Sequence, residues 1–149
     1  MAAIFLDTSA LVRRYDRSEP GSALVRAVCS RPRGNTLFIA RHATVEVASA
    51  FGRKRRAGTH NPRVVAKVWT TFQAHVRDQY RVIELTDIVY SRAERLVFAH
   101  ALRGFDALHV GCALMIAAES PDTPVQFWTA DRRQAEAASA EGLDVRLVS

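Results

Sequence analysis

Short apolar or alternating runs of four or five residues are separated along the chain by amphipathic stretches. The runs are typical of buried strands, and the longer stretches carry apolar residues at helical i, i+3 and i+4 spacing. The predicted strands are Ala2–Leu6, Thr36–Ala40, Arg81–Leu85, Val125–Thr129 and Val145–Val148. The predicted helices are Ala10–Tyr15, Glu19–Cys29, His42–Ala57, Pro62–Gln79, Asp87–Leu102, a helix from Gly104 to about Ser120, and Ala135–Ala140. This alternation predicts an α/β fold with a mainly parallel β-sheet flanked by helices.

The helix that opens at Gly104 is the most informative stretch. Small residues recur along it, among them Ala107 and Gly111, which favours close packing against a sheet. Asp106 lies in its first turn, where unpaired N–H groups and the helix dipole stabilise an acid. That placement alone is enough to explain one aspartate. Whether Asp106 has a functional role therefore depends on the other acids of the chain.

Composition narrows the class of protein. The 149 residues are 48% hydrophobic, which predicts a single globular domain over residues 1–149. The net charge of +6 indicates an anionic partner, most simply nucleic acid. Cys29 and Cys112 are isolated in apolar patterns, which predicts neither a zinc site nor a disulfide framework and favours a reducing cytoplasm. We expect no signal peptide and no membrane span.

Four acids fall at the ends of predicted elements. Asp7 and Asp131 follow strands, and Glu46 and Asp106 lie in the first turns of helices. Ligands of open α/β sheets bind beyond the carboxyl ends of the strands, so these acids are expected to meet at one edge. Four carboxylates would repel one another unless a hard cation such as Mg²⁺ or Mn²⁺ joined them. Two such ions about 4 Å apart activate water and stabilise the leaving oxygen of a phosphodiester.

Each of these residues also has a structural explanation when taken alone. Asp7 could end a strand, Glu46 could be a solvated helix residue, and Asp131 could be an N-cap. His109 lies one helical turn from Asp106, and we interpret it as supporting the site or the fold rather than binding metal. The other histidines, His42, His60, His75 and His100, are interpreted as non-catalytic. Trp69 and Phe72 are interpreted as core or dimer-interface residues, and Trp128 as a core residue.

Four motifs, in chain order, resemble those of PIN-domain proteins and, more narrowly, of VapC-type toxins of toxin–antitoxin pairs. They are Ile4-Phe5-Leu6-Asp7-Thr8-Ser9-Ala10-Leu11, Glu46 within a helix, Phe105-Asp106-Ala107-Leu108-His109, and Thr129-Ala130-Asp131-Arg132. The resemblance covers almost the whole chain. It implies an endoribonuclease that depends on Mg²⁺ or Mn²⁺ and is built on a Rossmann-like parallel sheet.

The resemblance also implies residue roles and partners. Asp7, Glu46 and Asp106 match the core metal-binding acids, Asp131 matches the fourth acid, and the hydroxyls of Ser9 and Thr129 would help to hold the site. Proteins of this family typically form homodimers. A small VapB-type antitoxin inhibits them, usually by laying a segment over the active-site groove with an arginine that reaches the acids.

Basic residues are the expected contacts to RNA phosphates, which position RNA without reading its sequence. They are Arg41, Arg53, Lys54, Arg55, Arg56, Arg103, Arg132 and Arg133. Two other functions remain open. A haloacid-dehalogenase-like phosphatase also begins with a strand that ends in Asp, but it needs a second Asp where Ser9 stands. A catalytically inactive PIN-like binding module would keep the fold without the chemistry.

Overall fold

A computed structural model describes residues 1–149 and confirms the expected parallel sheet with flanking helices. The strands are β1 (Ala3–Leu6), β2 (Thr36–Ala40), β3 (Tyr80–Ile83), β4 (Val125–Thr129) and β5 (Asp144–Leu147). The helices are α1 (Thr8–Tyr15), α2 (Ser22–Val28), α3 (Ala43–Arg56), α4 (Pro62–Asp78), α5 (Asp87–Ala99), α6 (Gly104–Glu119) and α7 (Arg132–Ala140), with a 3₁₀ turn at Arg31–Arg33. The strand order is β3-β2-β1-β4-β5, and every neighbouring pair is parallel.

The central strand β1 is buried on both faces of the sheet. Ile4 and Leu6 point into a core formed with α1 to α4, whereas Ala3 and Phe5 point into a second core formed with α5 to α7. Because neither face of β1 meets water, its sequence is a continuous apolar run rather than an alternating one.

The carboxyl ends of β1 and β4 form the crevice in which ligands of such sheets bind. The chain leaves β1 into α1 on one face of the sheet and leaves β4 into α7 on the other face. The two strands are hydrogen-bonded neighbours, so their ends diverge at a topological switch point. Asp7 and Asp131 follow these two strands directly.

Several helices begin or end a few residues from their predicted limits. Helix α1 begins two residues earlier because the Asp7 carboxylate accepts a hydrogen bond from the Ala10 N–H. Helix α7 begins at Arg132 rather than Ala135, since Asp131 accepts from the Arg133 N–H. Helix α5 ends at Ala99, three residues before the predicted limit, as the following backbone is extended.

Helix α6 is the most buried helix and packs closely on α5. A Cβ atom on Gly111 would lie 3.2 Å from the Val89 carbonyl oxygen, so the glycine allows the two backbones to approach. The small residue therefore serves a helix–helix contact, where the sequence suggested a contact with the sheet. This packing fixes the first turn of α6, and with it Asp106. None of the helices combines the length and the apolar character needed to cross a membrane.

Candidate metal centre

Asp7 is the anchor of the site, and its side chain is fully buried. Its Oδ1 accepts hydrogen bonds from the Ser9 hydroxyl at 2.7 Å and the Ala10 N–H at 2.9 Å, while Oδ2 accepts from the Thr129 hydroxyl at 2.5 Å. Burial raises the pKa of Asp7, and these donors offset only part of that effect. The carboxylate is thus held rigidly in an environment that disfavours its charge.

The Ser9 and Thr129 hydroxyls that donate to Asp7 also link the ends of β1 and β4. Ser9 Oγ accepts from the Ala130 N–H at 2.9 Å, and Thr129 Oγ1 accepts from the Asp131 N–H at 3.0 Å. Ser9 and Thr129 therefore lie where the sequence analysis expected supporting hydroxyls. Through them the backbone that carries Asp131 is coupled to the Asp7 side chain.

Glu46 enters the site from the first turn of α3. Its Oε1 accepts from the Thr8 hydroxyl at 2.7 Å and lies 2.7 Å from His109 Nε2. Burial by itself would raise the pKa of Glu46, but the hydrogen bond and electrostatic attraction of His109 outweigh it, and the pKa is lowered. Helices α1 and α6 therefore orient a carboxylate carried by α3. His109 thus contacts one of the acids predicted to bind metal.

His42 lies against the same carboxylate, although the sequence analysis treated it as non-catalytic. Its Nε2 is 3.5 Å from Glu46 Oε1 and 3.0 Å from the Phe105 carbonyl oxygen. Its ring centroid is 4.2 Å from that of His109. Burial, followed by electrostatic repulsion from the neighbouring His109 imidazole, lowers the pKa of His42 to about 4. The available sequence signal was its position four residues before Glu46, one turn along a helix.

Asp106 is half-buried and faces the other acids from the first turn of α6. Its pKa is raised, first by burial and then by the negative charges of Asp131, Asp7 and Glu46. Gln134, which the sequence analysis missed, donates to Asp106 Oδ1 at 3.3 Å. The Gln134 side chain is buried and its Oε1 has no hydrogen-bond partner. Gln134 follows Asp131 by three residues, which is one helical turn, and this spacing was the sequence signal that could have identified it.

The acids meet at an open cavity of about 420 Å³. Glu46, Asp106 and Asp131 line it together with Gln134, and Asp7 lies beneath it, bonded to the lining residue Ser9. The structure therefore brings all four predicted acids to one place. Carboxylate oxygens and an unpartnered amide oxygen form the hard donor set that Mg²⁺ or Mn²⁺ takes, so the residues fit such an ion.

The expected RNA-contacting residues are distributed unevenly around this cavity. Arg53 and Lys54 line it, but Lys54 Nζ is committed to Asp16 Oδ2 at 2.7 Å and to Glu19 Oε1 at 3.0 Å. Burial would raise the pKa of Asp16, but hydrogen bonds from Lys54 and Ser18 hold it well below the usual range. Arg41 lies instead at a groove between α3 and α4. The remaining residues are exposed: Arg55, Arg56, Arg103, Arg132 and Arg133.

A parallel sheet with four acids at its carboxyl edge defines the class of protein, and the chain belongs to the PIN-domain family, whose model matches residues 4–140. It is 32% identical over 148 residues to the ribonuclease VapC45 of Mycobacterium tuberculosis, covering 97% of this chain and 95% of that protein. The relatives that the sequence resembles are thus VapC ribonucleases, as the motifs indicated.

Solved structures of VapC proteins share the fold. The crystal structure of VapC20 from Mycobacterium tuberculosis, described as a toxin that cleaves the sarcin–ricin loop, matches with a TM-score of 0.62 at 17% identity. That match covers 97% of this chain and 99% of VapC20. VapBC2 from Rickettsia felis, bound to a DNA fragment from its promoter, matches with a TM-score of 0.65 at 11% identity, covering 99% of both chains.

Proposed function

We propose that the chain is a metal-dependent endoribonuclease, the toxin of a VapBC-type toxin–antitoxin pair. The observation that carries the proposal is the convergence of Glu46, Asp106 and Asp131 on one open cavity, with Asp7 buried beneath it. Membership of the PIN-domain family and similarity to a ribonuclease along nearly the whole chain support it.

The four acids would hold Mg²⁺ or Mn²⁺, and Gln134, whose Oε1 has no hydrogen-bond partner, lines the same cavity. When bound, such an ion is a Lewis acid that polarises a phosphodiester and makes water a stronger nucleophile. We expect hydrolysis to leave a 5′-phosphate and a 3′-hydroxyl.

Each acid has a distinct task that follows from its surroundings. Asp7 is already fixed by Ser9, Ala10 and Thr129, so little side-chain freedom is lost when it binds a ligand. Glu46 is kept ionised by His109. Asp106 has a raised pKa, so protons compete with a cation for this carboxylate at low pH.

RNA would be held by its phosphates around the cavity. Arg53 is exposed at the cavity and has no carboxylate partner, whereas Lys54 is neutralised by Asp16 and Glu19. Contacts of this kind are independent of sequence and weaken with salt. Proteins that read RNA sequence usually bind splayed single-stranded bases, so we propose a loop of a structured RNA as substrate. VapC20 is described as cleaving such a loop.

Two partners follow from the same proposal. A VapB-type antitoxin would place an arginine among the acids and an apolar segment in the groove of about 460 Å³ between α3 and α4, which is lined by Val45, Ala48 and Trp69. A homodimer would bury the apolar side chains exposed on α5 and α6, notably Phe98 and Phe105. Light scattering of Phe98→Glu against the unsubstituted chain tests the dimer, which should dissociate.

The decisive experiment is cleavage of total cellular RNA with Mg²⁺ or Mn²⁺, followed by mapping of new 5′ ends. We expect discrete cuts that disappear with chelator and in Asp106→Asn and Asp131→Asn. Asp122→Asn is the matched control, because Asp122 is an exposed acid in the loop before β4, at the opposite edge of the sheet. Cuts that persist in both site variants would refute the proposal. An absence of cuts in antitoxin-free protein would favour the inactive binding module.

A further inference from the structure

Two imidazoles and one carboxylate meet beside the acidic cavity. His42 and Glu46 are separated by one turn at the start of α3, and His109 comes from α6. Glu46 Oε1 lies 2.7 Å from His109 Nε2 and 3.5 Å from His42 Nε2. Each residue offers a ligand atom within 4.8 Å of the others. Nothing in the nuclease mechanism requires His42.

We infer that His42, Glu46 and His109 form a binding site for a transition-metal ion, with Zn²⁺ as the probe. Two histidines and one glutamate are a donor set of zinc sites that keep a fourth position open. Imidazole nitrogens favour Zn²⁺ over Mg²⁺, which takes oxygen ligands and retains its water. The site therefore differs in chemistry from the oxygen-only cluster formed by the four acids.

The cluster is largely preformed and reachable from the cavity. His109 is 1% exposed and held against Phe5, while a quarter of the Glu46 side chain is exposed to solvent. Glu46 and His109 both line the cavity, so an ion that enters it meets both ligands. The three ligand atoms already lie within 4.8 Å of one another, and His42 Nε2 would exchange its contact with the Phe105 carbonyl oxygen for the ion.

The surroundings of the His42 and His109 imidazoles also limit the affinity of the site for Zn²⁺. Binding through both Nε2 atoms places the ring protons on the two Nδ1 atoms, which are buried and have no hydrogen-bond acceptor. Loss of such outer partners typically weakens metal binding by about 10–100-fold. The structure thus indicates a reversible site rather than a permanent structural ion.

Glu46 belongs both to this site and to the proposed nuclease centre. The consequence for activity rests on the proposed function. Zn²⁺ bound by His42, Glu46 and His109 would remove Glu46 from the Mg²⁺ or Mn²⁺ site and inhibit cleavage. Relief of inhibition by excess Mg²⁺ would be weak, because Mg²⁺ does not compete well for imidazole.

Calorimetric titration of the full chain with Zn²⁺, in millimolar Mg²⁺ and without RNA, tests the site directly. We expect one ion per chain and a visible absorption band when Co²⁺ replaces Zn²⁺. The Zn²⁺ affinity should fall at least about tenfold in His42→Ala and His42→Gln, in keeping with loss of one ligand. It should change less than about twofold in Asp131→Asn and in His100→Ala, a histidine that pairs with Glu141 elsewhere.

The controls separate this site from the acid cluster. If Asp131→Asn loses Zn²⁺ affinity while the His42 variants keep it, Zn²⁺ occupies only the acid cluster and the inference is wrong. Thermal melting identifies any His42 variant that does not fold, and the glutamine variant preserves most of the side-chain volume. If the protein binds Zn²⁺ but does not cleave RNA in Mg²⁺ or Mn²⁺ when Zn²⁺ is absent, the proposed function is refuted and the metal site stands.

Discussion

The buried hydroxyl of Thr129 is the part of the metal centre that a small substitution tests most directly. Thr129→Val replaces the hydroxyl with a methyl group of similar size inside a buried strand end. It removes the donor at 2.5 Å to Asp7 Oδ2 and the acceptor at 3.0 Å for the Asp131 N–H. We expect the free energy of unfolding to fall and the pKa of Asp7 to rise further.

The magnitude follows from the two lost hydrogen bonds. A hydrogen bond to a charged group contributes about 1.5–3 kcal/mol and a neutral one about 0.5–1.5 kcal/mol, so the loss at neutral pH is about 2–4.5 kcal/mol. The cost should also depend on pH. Burial already places the folded-state pKa of Asp7 above its unfolded value, so stability declines as pH rises through the folded pKa. Thr129→Val should extend that decline to higher pH.

Urea unfolding with chelator present, at several pH values from 4 to 8, measures this effect without a contribution from bound metal. Thr71→Val is the matched control, because Thr71 is exposed on α4 and its hydroxyl bonds only to the Lys67 carbonyl of its own helix. The control should change stability by less than about 0.5 kcal/mol. Equal effects of the two substitutions, or an effect of Thr129→Val that does not grow with pH, would refute the reasoning.

Four other substitutions test separate parts of the site and its surroundings. Asp7→Asn should abolish cleavage yet stabilise the metal-free protein at neutral pH by about 0.5–2 kcal/mol, since it removes a buried charge at a functional position; a destabilised variant in urea unfolding would contradict this. Lys54→Met should cost about 1–2 kcal/mol, because Oδ2 of buried Asp16 loses its ion pair while Ser18 still donates to Oδ1. Arg55→Met should leave stability unchanged and reduce the slope of log RNA affinity against log salt by about 0.7 for single-stranded RNA. Filter binding at several salt concentrations distinguishes Arg55→Met from Lys54→Met. Gln134→Leu should keep the fold but weaken Mn²⁺ binding by about tenfold, as expected for loss of an oriented oxygen beside the acids; unchanged Mn²⁺ affinity in calorimetry would remove Gln134 from the site.

Much of the fold could be predicted because it depends on local periodicity. The apolar run of β1, the amphipathic spacing of α4 and the Asn61-Pro62 cap are properties of neighbouring residues, and each element lies close to its predicted position. Alternation of strands and helices then limits the topology to a parallel sheet. The same logic placed Asp7 and Asp131 together, because the carboxyl ends of parallel strands share one edge.

Contacts between distant side chains could not be predicted in this way. The bond between Glu46 and His109 joins residues 63 positions apart, and it depends on how α3 and α6 lie relative to the sheet. The same is true of Lys54. The sequence predicted that it contacts RNA, but Asp16 and Glu19 neutralise its charge. Which charge is free and which is paired depends on distances of a few ångströms.

The sequence by itself determined the class of fold, the acids and the edge of the sheet at which they collect, because each of these follows from local pattern and strand direction. Only the tertiary structure decided that Asp7 is buried under Thr129, that Gln134 faces Asp106, and that His42 and His109 share Glu46. These contacts arise from the packing of α3, α6 and α7 around the switch point, where small shifts of a helix change which atoms meet.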